Sequence, residues 1–133
     1  MIRLPLWLLP LALLALPSGP CMAANPKPSF DCRKAKTDVE KQICGVPEYA
    51  NLDREIASLF AKALKMLPPA DVTKLKADQV KWLAERDQCI DLIHGDPPVF
   101  AEVHVCIGDA LRKRAKEFAD VVATGKVPDA APE

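Results

Sequence analysis

The sequence lacks net charge: 18 Lys and Arg residues balance 18 Asp and Glu residues over 133 positions. Nucleic-acid-binding proteins usually carry a clustered excess of Lys and Arg, so this composition argues against a nucleic-acid partner. The sequence also lacks the roughly 20 consecutive apolar residues that cross a membrane as a helix. Its longest apolar run, residues 4–16, is interrupted by Pro5 and Pro10. We therefore expect one small domain with no membrane insertion of the mature chain.

Strand patterns and catalytic motifs are also missing. No segment alternates apolar and polar residues over the length of a strand, and only 5% of the residues are aromatic, which indicates an all-α fold. The sequence has no Gly-x-Ser-x-Gly turn. Asp87 and Asp91, four residues apart, could act as an acid–base pair, but a solvated helix face explains them better. We predict that the protein is not an enzyme and holds no cofactor.

The first 24 residues have the pattern of a secretory signal peptide. Arg3 precedes the apolar run, and the small residues Ala23 and Ala24 follow it. Cleavage near Ala24 would leave a near-neutral chain in the periplasm or the medium. A lipoprotein signal ending at Cys21 is the alternative, although Pro20 directly before that cysteine fits such a signal poorly.

Four cysteines remain in the mature chain: Cys32, Cys44, Cys89 and Cys106. An even number in a small exported domain is typical of a disulfide framework, and four cysteines allow three pairings. The short spacings favour Cys32 with Cys44 and Cys89 with Cys106. A single helix from Cys32 to Cys44 would separate their Cα atoms by about 18 Å, too far for a disulfide. The first pairing therefore predicts a bend, which we place at the capping box formed by Thr37 and Glu40.

Apolar residues at helical spacing predict a short helix and three long ones. The short helix covers residues 38–44. The first long helix follows Pro47 and ends before Pro68. The second runs from near Asp71 to near Ile93, and the third runs from near Val99 to near Ala123. Short links favour antiparallel neighbours. The predicted architecture is a disulfide-stapled helical domain over residues 25–123, followed by a disordered tail over residues 124–133.

Two histidines lie close to the second cysteine pair, which raises the possibility of a zinc site. Cys89, His94, His104 and Cys106 offer four suitable ligands. Their spacing matches no common zinc module, however, and cysteines of exported proteins are usually bridged. We predict surface histidines and no metal site, and keep a metal carrier as the less favoured alternative.

Trp82 and Arg86 are predicted to be structural anchors. Trp82 is the only tryptophan after residue 24, and it lies on the apolar stripe of the second long helix. Arg86 falls on the same stripe. We expect it to be partly buried, with its aliphatic stem packed against Trp82 and Ile90.

Charge is distributed unevenly along the chain. No Lys or Arg occurs between Arg86 and Arg112, whereas five acidic residues do. We call these five residues the acidic hairpin: Asp87, Asp91, Asp96, Glu102 and Asp109. Chance and solubility can explain the pattern, and an acidic patch that attracts a cationic partner is the functional alternative.

Taken together, these motifs resemble the lysozyme-inhibitor LprI-like N-terminal family of exported bacterial proteins. The resemblance spans about residues 30–118. Its matching residues are Phe30-Asp31-Cys32, Lys34, Ala35, Glu40, Ile43-Cys44, Pro47-Glu48, Leu52-Asp53, Ala63, Gln79, Trp82-Leu83, Arg86-Asp87, Cys89, Cys106 and Arg114. The chain departs from the family after Cys106, where an aromatic residue is usual and Ile107-Gly108-Asp109-Ala110 stands here.

The resemblance implies a small helical, disulfide-bonded envelope protein that could inhibit lysozyme. Animal-type lysozymes are strongly basic, so the acidic hairpin would suit such a partner. This hypothesis predicts salt-sensitive binding that Asp91→Lys and Asp96→Lys weaken. An envelope scaffold that binds another periplasmic protein is the alternative.

Overall fold

A computed structural model describes residues 25–94 and 98–128. The predicted signal peptide, Cys21, Asp96 and the last five residues lie outside the described residues. Within the described part the chain forms four α-helices and no strand, which confirms the predicted all-α class. The helices are α1 (Asp38–Gly45), α2 (Pro47–Met66), α3 (Pro69–Asp87) and α4 (Phe100–Thr124), with short 3₁₀ segments at Cys32–Lys34 and Gln88–Ile93.

Helices α2 and α4 run parallel, and α3 runs antiparallel to both. Tyr49 near the start of α2 contacts His104 near the start of α4, and Phe60 stacks on Phe118 about three to four turns further along both helices. In contrast, α3 and α4 run in opposite directions. Gln79 of α3 contacts Arg114 in the second half of α4, whereas Cys89, which follows the end of α3, is bonded to Cys106 near the beginning of α4. Sequential long helices are therefore antiparallel, as the short links predict.

The apolar core lies mainly between α2 and α4. Helix α4 contributes residues at helical spacing that are at most 6% exposed, and α1 and α2 cover them from the other side. Helix α3 buries only Leu75 and Arg86, so it is the least embedded of the long helices. The buried apolar residues of α4 are Val103, Ile107, Leu111, Ala115, Phe118 and Val121.

A capping box begins α1, where the sequence predicts one. The Glu40 N–H donates to the Thr37 hydroxyl at 3.1 Å, and the Thr37 N–H donates to Glu40 Oε2 at 3.0 Å. The backbone bonds from Thr37 and then from Lys36 hold the pKa of Glu40 below its ordinary value. The resulting bend leaves the Cα atoms of Cys32 and Cys44 5.9 Å apart, and the two residues form a disulfide.

We expect Thr37→Ala to lower the free energy of unfolding by about 1 kcal/mol, the usual cost of removing a helix cap. Denaturant unfolding followed by circular dichroism measures this loss. Thr73→Ala is the matched control, because the Thr73 hydroxyl bonds the Pro69 carbonyl within a helix and caps nothing. An equal loss in both variants would contradict a capping role for Thr37.

Helix α3 differs from its predicted bounds at both ends. It begins at Pro69, not near Asp71, because proline lacks an N–H and suits the first position of a helix. Asp71 lies instead in the first turn, where the helix dipole favours a carboxylate. At the other end the α-helix stops at Asp87 and tightens into the 3₁₀ segment that carries Cys89.

Helix α4 extends one residue beyond its predicted end near Ala123. Thr124 is the last helical residue, and Gly125 caps the C-terminal end of the helix. Gly125 adopts the left-handed conformation at a φ of 67°, and its N–H donates to the Val121 carbonyl at 2.8 Å. Glycine suits this position because it lacks a Cβ atom.

Candidate functional site

A disulfide closes the hairpin that carries the acidic residues. Cys89, in the 3₁₀ segment after α3, is bonded to Cys106 in the second turn of α4, with the Cα atoms 5.7 Å apart. Cys89 is buried and Cys106 is half-buried. The bond therefore ties the end of α3 to the beginning of α4 on both sides of the link between them.

Two of the five acidic residues are engaged by arginines. Asp87 is half-buried and accepts hydrogen bonds on Oδ1 from Arg86 Nε at 2.9 Å and Nη2 at 2.6 Å. Asp109 lies 2.8 Å from Arg112, whose guanidinium also contacts Glu48 of α2 at 3.2 Å. Both carboxylates therefore contribute less to the local negative potential than their formal charge suggests.

Asp91 and Glu102 are exposed, as Asp109 is, but unlike Asp109 they have no arginine partner among the described residues. Neither forms a salt bridge with another described residue. Asp91 lies in the 3₁₀ segment, and Glu102 lies in the first turn of α4. Asp96 lies outside the described residues. Among the described members of the acidic hairpin, these two carboxylates are the most available to a cationic partner.

A buried tyrosine connects α2 to the hairpin. The Tyr49 hydroxyl donates to the His104 carbonyl at 2.7 Å, and the Tyr49 side chain is 6% exposed. Burial is the main cause that raises the pKa of Tyr49 above its ordinary value. A Cβ atom placed on Gly108 would lie 3.3 Å from the Tyr49 ring, so glycine permits this close approach. Gly108 therefore makes room for an aromatic residue of α2.

The histidines do not assemble with the cysteines into a metal site. His94 and His104 are exposed, and the two cysteines are bonded to each other, so no thiolate is available. Over residues 25–94 and 98–128, no group of three or more His, Cys, Asp or Glu side chains could hold a metal ion. The same ranges contain no helix with the length and hydropathy of a membrane span.

Trp82 lies against two buried arginines. The guanidinium carbon of Arg86 lies over the ring at 5.5 Å from its centroid, and that of Arg114 at 5.4 Å. Arg86 is 6% exposed and Arg114 is 4% exposed, while Trp82 is half-buried. Arg114 also lies 4.2 Å from the centroid of Phe118. These contacts join α3 to α4 by cation–π interactions beside the hairpin.

The burial of Arg114 is not among the expectations from the sequence, where this residue lies among the bases Arg112, Lys113 and Lys116. Helical spacing contained the signal. Arg114 lies three residues after Leu111 and four before Phe118, which places it on the buried stripe of α4. Its Nε donates to Gln79 Oε1 at 2.9 Å and its Nη1 to Glu117 Oε2 at 3.0 Å.

Comparison with known proteins gives one family match. A family model described as Lysozyme inhibitor LprI matches residues 32–118, from the first disulfide cysteine to Phe118 of the core. The matched region contains all four bonded cysteines, Trp82 and both buried arginines. The chain has no significant match among curated proteins or among solved structures.

Proposed function

The chain belongs to the lysozyme inhibitor LprI family, and on that premise we propose that the protein is an exported, non-catalytic inhibitor that binds lysozyme. The observation that carries this proposal is the family match over residues 32–118. The pattern of residues 1–24 supports export, with cleavage near Ala24 and a periplasmic or secreted location. The two disulfides are consistent with that oxidising environment.

We propose that the acidic hairpin forms the contact with lysozyme. Asp91 and Glu102, its exposed carboxylates that form no salt bridge with a described residue, would attract a strongly basic protein and increase the rate of association. The Cys89–Cys106 bond restricts the segment that carries them, so little conformational entropy would be lost on binding. Asp87 and Asp109 would contribute less, since Arg86 and Arg112 already contact them.

An inhibition assay tests this function. Purified mature protein is expected to slow cell-wall lysis by a basic lysozyme at low ionic strength, and the inhibition is expected to weaken near 1 M salt, where the screening length falls to about 3 Å. Bovine serum albumin at equal concentration is the control for nonspecific acidic protein. Unchanged lysozyme activity at low salt, across a molar excess of the purified protein, would refute the inhibitor proposal.

A further inference from the structure

An exposed apolar side chain stands among the charges of the acidic hairpin. Val105 is 61% exposed, although valine is a residue type that proteins usually bury. The exposed large apolar residues in the described part of the chain are Met66, Val80, Leu83 and Val105. Of these, Val105 alone lies between two members of the acidic hairpin. Single exposed apolar residues are common on protein surfaces, so the surroundings of Val105 decide whether it has a role.

Val105 shares its face of α4 with two carboxylates. Glu102 lies three residues before it and Asp109 four residues after it, and these spacings make side chains neighbours on a helix, with Cβ atoms about 5–6 Å apart. All three residues are exposed. Asp109 is paired with Arg112 at 2.8 Å, whereas Glu102 forms no salt bridge with a described residue. An apolar centre therefore has an acidic residue on either side, and one of the two is free of an internal cation.

The backbone next to Val105 is held on both sides. The carbonyl of the preceding residue, His104, accepts a hydrogen bond from the Tyr49 hydroxyl at 2.7 Å. The following residue, Cys106, is bonded to Cys89. Valine is branched at Cβ and has one strongly preferred χ1 rotamer in a helix. Val105 would therefore lose little conformational entropy when it packs against a partner, which lowers the cost of binding.

Helix stability does not explain a valine at this position. Alanine stabilises an exposed helical position more than valine does, because a β-branched side chain loses χ1 freedom against the preceding turn. Position 105 lies inside α4, and its side chain belongs neither to the apolar core nor to the residues packed against that core. The valine thus costs helix stability without contributing to the packing, and a contact with a partner would offset that cost.

We propose that Val105 is the apolar centre of the lysozyme contact, an inference that rests on the inhibitor function proposed above. Val105 packs into an apolar depression of the lysozyme surface whose rim carries Lys or Arg side chains, and Glu102 faces that rim. Interfaces commonly have an apolar centre and a polar rim, and a few residues near the centre supply most of the binding energy. The carboxylates then govern the rate of association, and Val105 governs the rate of dissociation.

Val105→Ala tests this assignment, and Val80→Ala is the matched control. Val80 is also an exposed valine inside a helix, at 69% exposure, but it lies on α3. We expect the dissociation rate constant of the lysozyme complex to rise about tenfold in Val105→Ala, because two methylene equivalents leave a buried contact. The association rate constant should change less than about twofold. Val80→Ala should leave both rate constants unchanged in surface plasmon resonance.

Two further measurements separate a binding contact from a structural effect. Val105→Ala should unfold at the same denaturant concentration as the wild type or at a higher one. Its faster dissociation should persist at about 0.5 M salt, because salt screens charges and does not weaken an apolar contact. A lower unfolding midpoint would assign Val105 a structural role and would overturn the inference.

The outcomes also distinguish this inference from the inhibitor function on which it rests. If the wild type binds lysozyme and Val105→Ala dissociates at the wild-type rate, Val105 is not the centre of the contact, and the inhibitor function stands. Equal acceleration in Val105→Ala and Val80→Ala would overturn the assignment in the same way. A wild-type protein that does not bind lysozyme at low salt would overturn both proposals.

Discussion

Replacing Cys89 and Cys106 with serine lowers the free energy of unfolding by about 3 kcal/mol, the expected effect of opening a loop of this length. The bond spans 17 positions of sequence and joins the end of α3 to the beginning of α4. Helix α3 has few buried residues of its own, so it depends on this bond more than α2 or α4 does. Unfolding in guanidinium chloride, followed by Trp82 fluorescence, measures the loss.

Cys32→Ser with Cys44→Ser is the matched control for this double variant. That bond spans 12 positions and joins Cys44 of α1 to Cys32, so the loop it closes contains none of the acidic hairpin. We expect a similar loss of stability but unchanged lysozyme inhibition under conditions in which the variant is folded. The Cys89/Cys106 variant should lose inhibition as well, because its acidic residues are no longer held together. Equal inhibition by both variants would contradict a role for the hairpin disulfide in binding.

Phe118→Ala is expected to lower the free energy of unfolding by about 3–5 kcal/mol, the usual cost of truncating a buried aromatic side chain. Phe118 is fully buried, and its ring centroid lies 5.3 Å from that of Phe60 on α2. Its ring also supports the guanidinium group of Arg114. The substitution therefore removes two sets of contacts. One is the packing between α2 and α4, and the other is the aromatic ring that supports Arg114, the arginine of α4 that contacts α3.

Phe118→Leu separates these two effects. Leucine fills much of the same volume but provides no aromatic face, so the loss should be well below that of alanine, about 1–2 kcal/mol. Denaturant unfolding with circular dichroism at 222 nm measures both variants. A loss below about 1 kcal/mol for Phe118→Ala would contradict the central position of this residue in the core.

Local features of the fold were predictable because neighbouring residues determine them. The Thr37–Glu40 capping box needs only residues three positions apart, and the buried stripe of α4 follows from its spacing. The boundaries of α3 were less predictable. Its beginning depends on the tolerance of a helix for proline at the first position, and its end depends on the 3₁₀ geometry around Cys89.

The candidate site was predictable only in part, because contacts distant in sequence modify it. A count of charges placed five acids on one hairpin, but it could not show that Arg86 and Arg112 contact Asp87 and Asp109. Glu48, 64 positions before Arg112, joins that group through tertiary packing alone. The burial of Arg114 could have been read from its spacing, but its contacts with Trp82 and Gln79 required the fold.

The association rate constant with lysozyme tests the central claim most directly. The variant Asp91→Lys/Glu102→Lys reverses two exposed charges of the hairpin, and Glu55→Lys/Asp120→Lys reverses two exposed acids elsewhere, so net charge changes equally. At low salt we predict a decrease of about tenfold for the hairpin variant and a much smaller one for its control, because steering depends on charges near the contact. Equal rate constants for the two variants would contradict the hairpin as the lysozyme-binding surface.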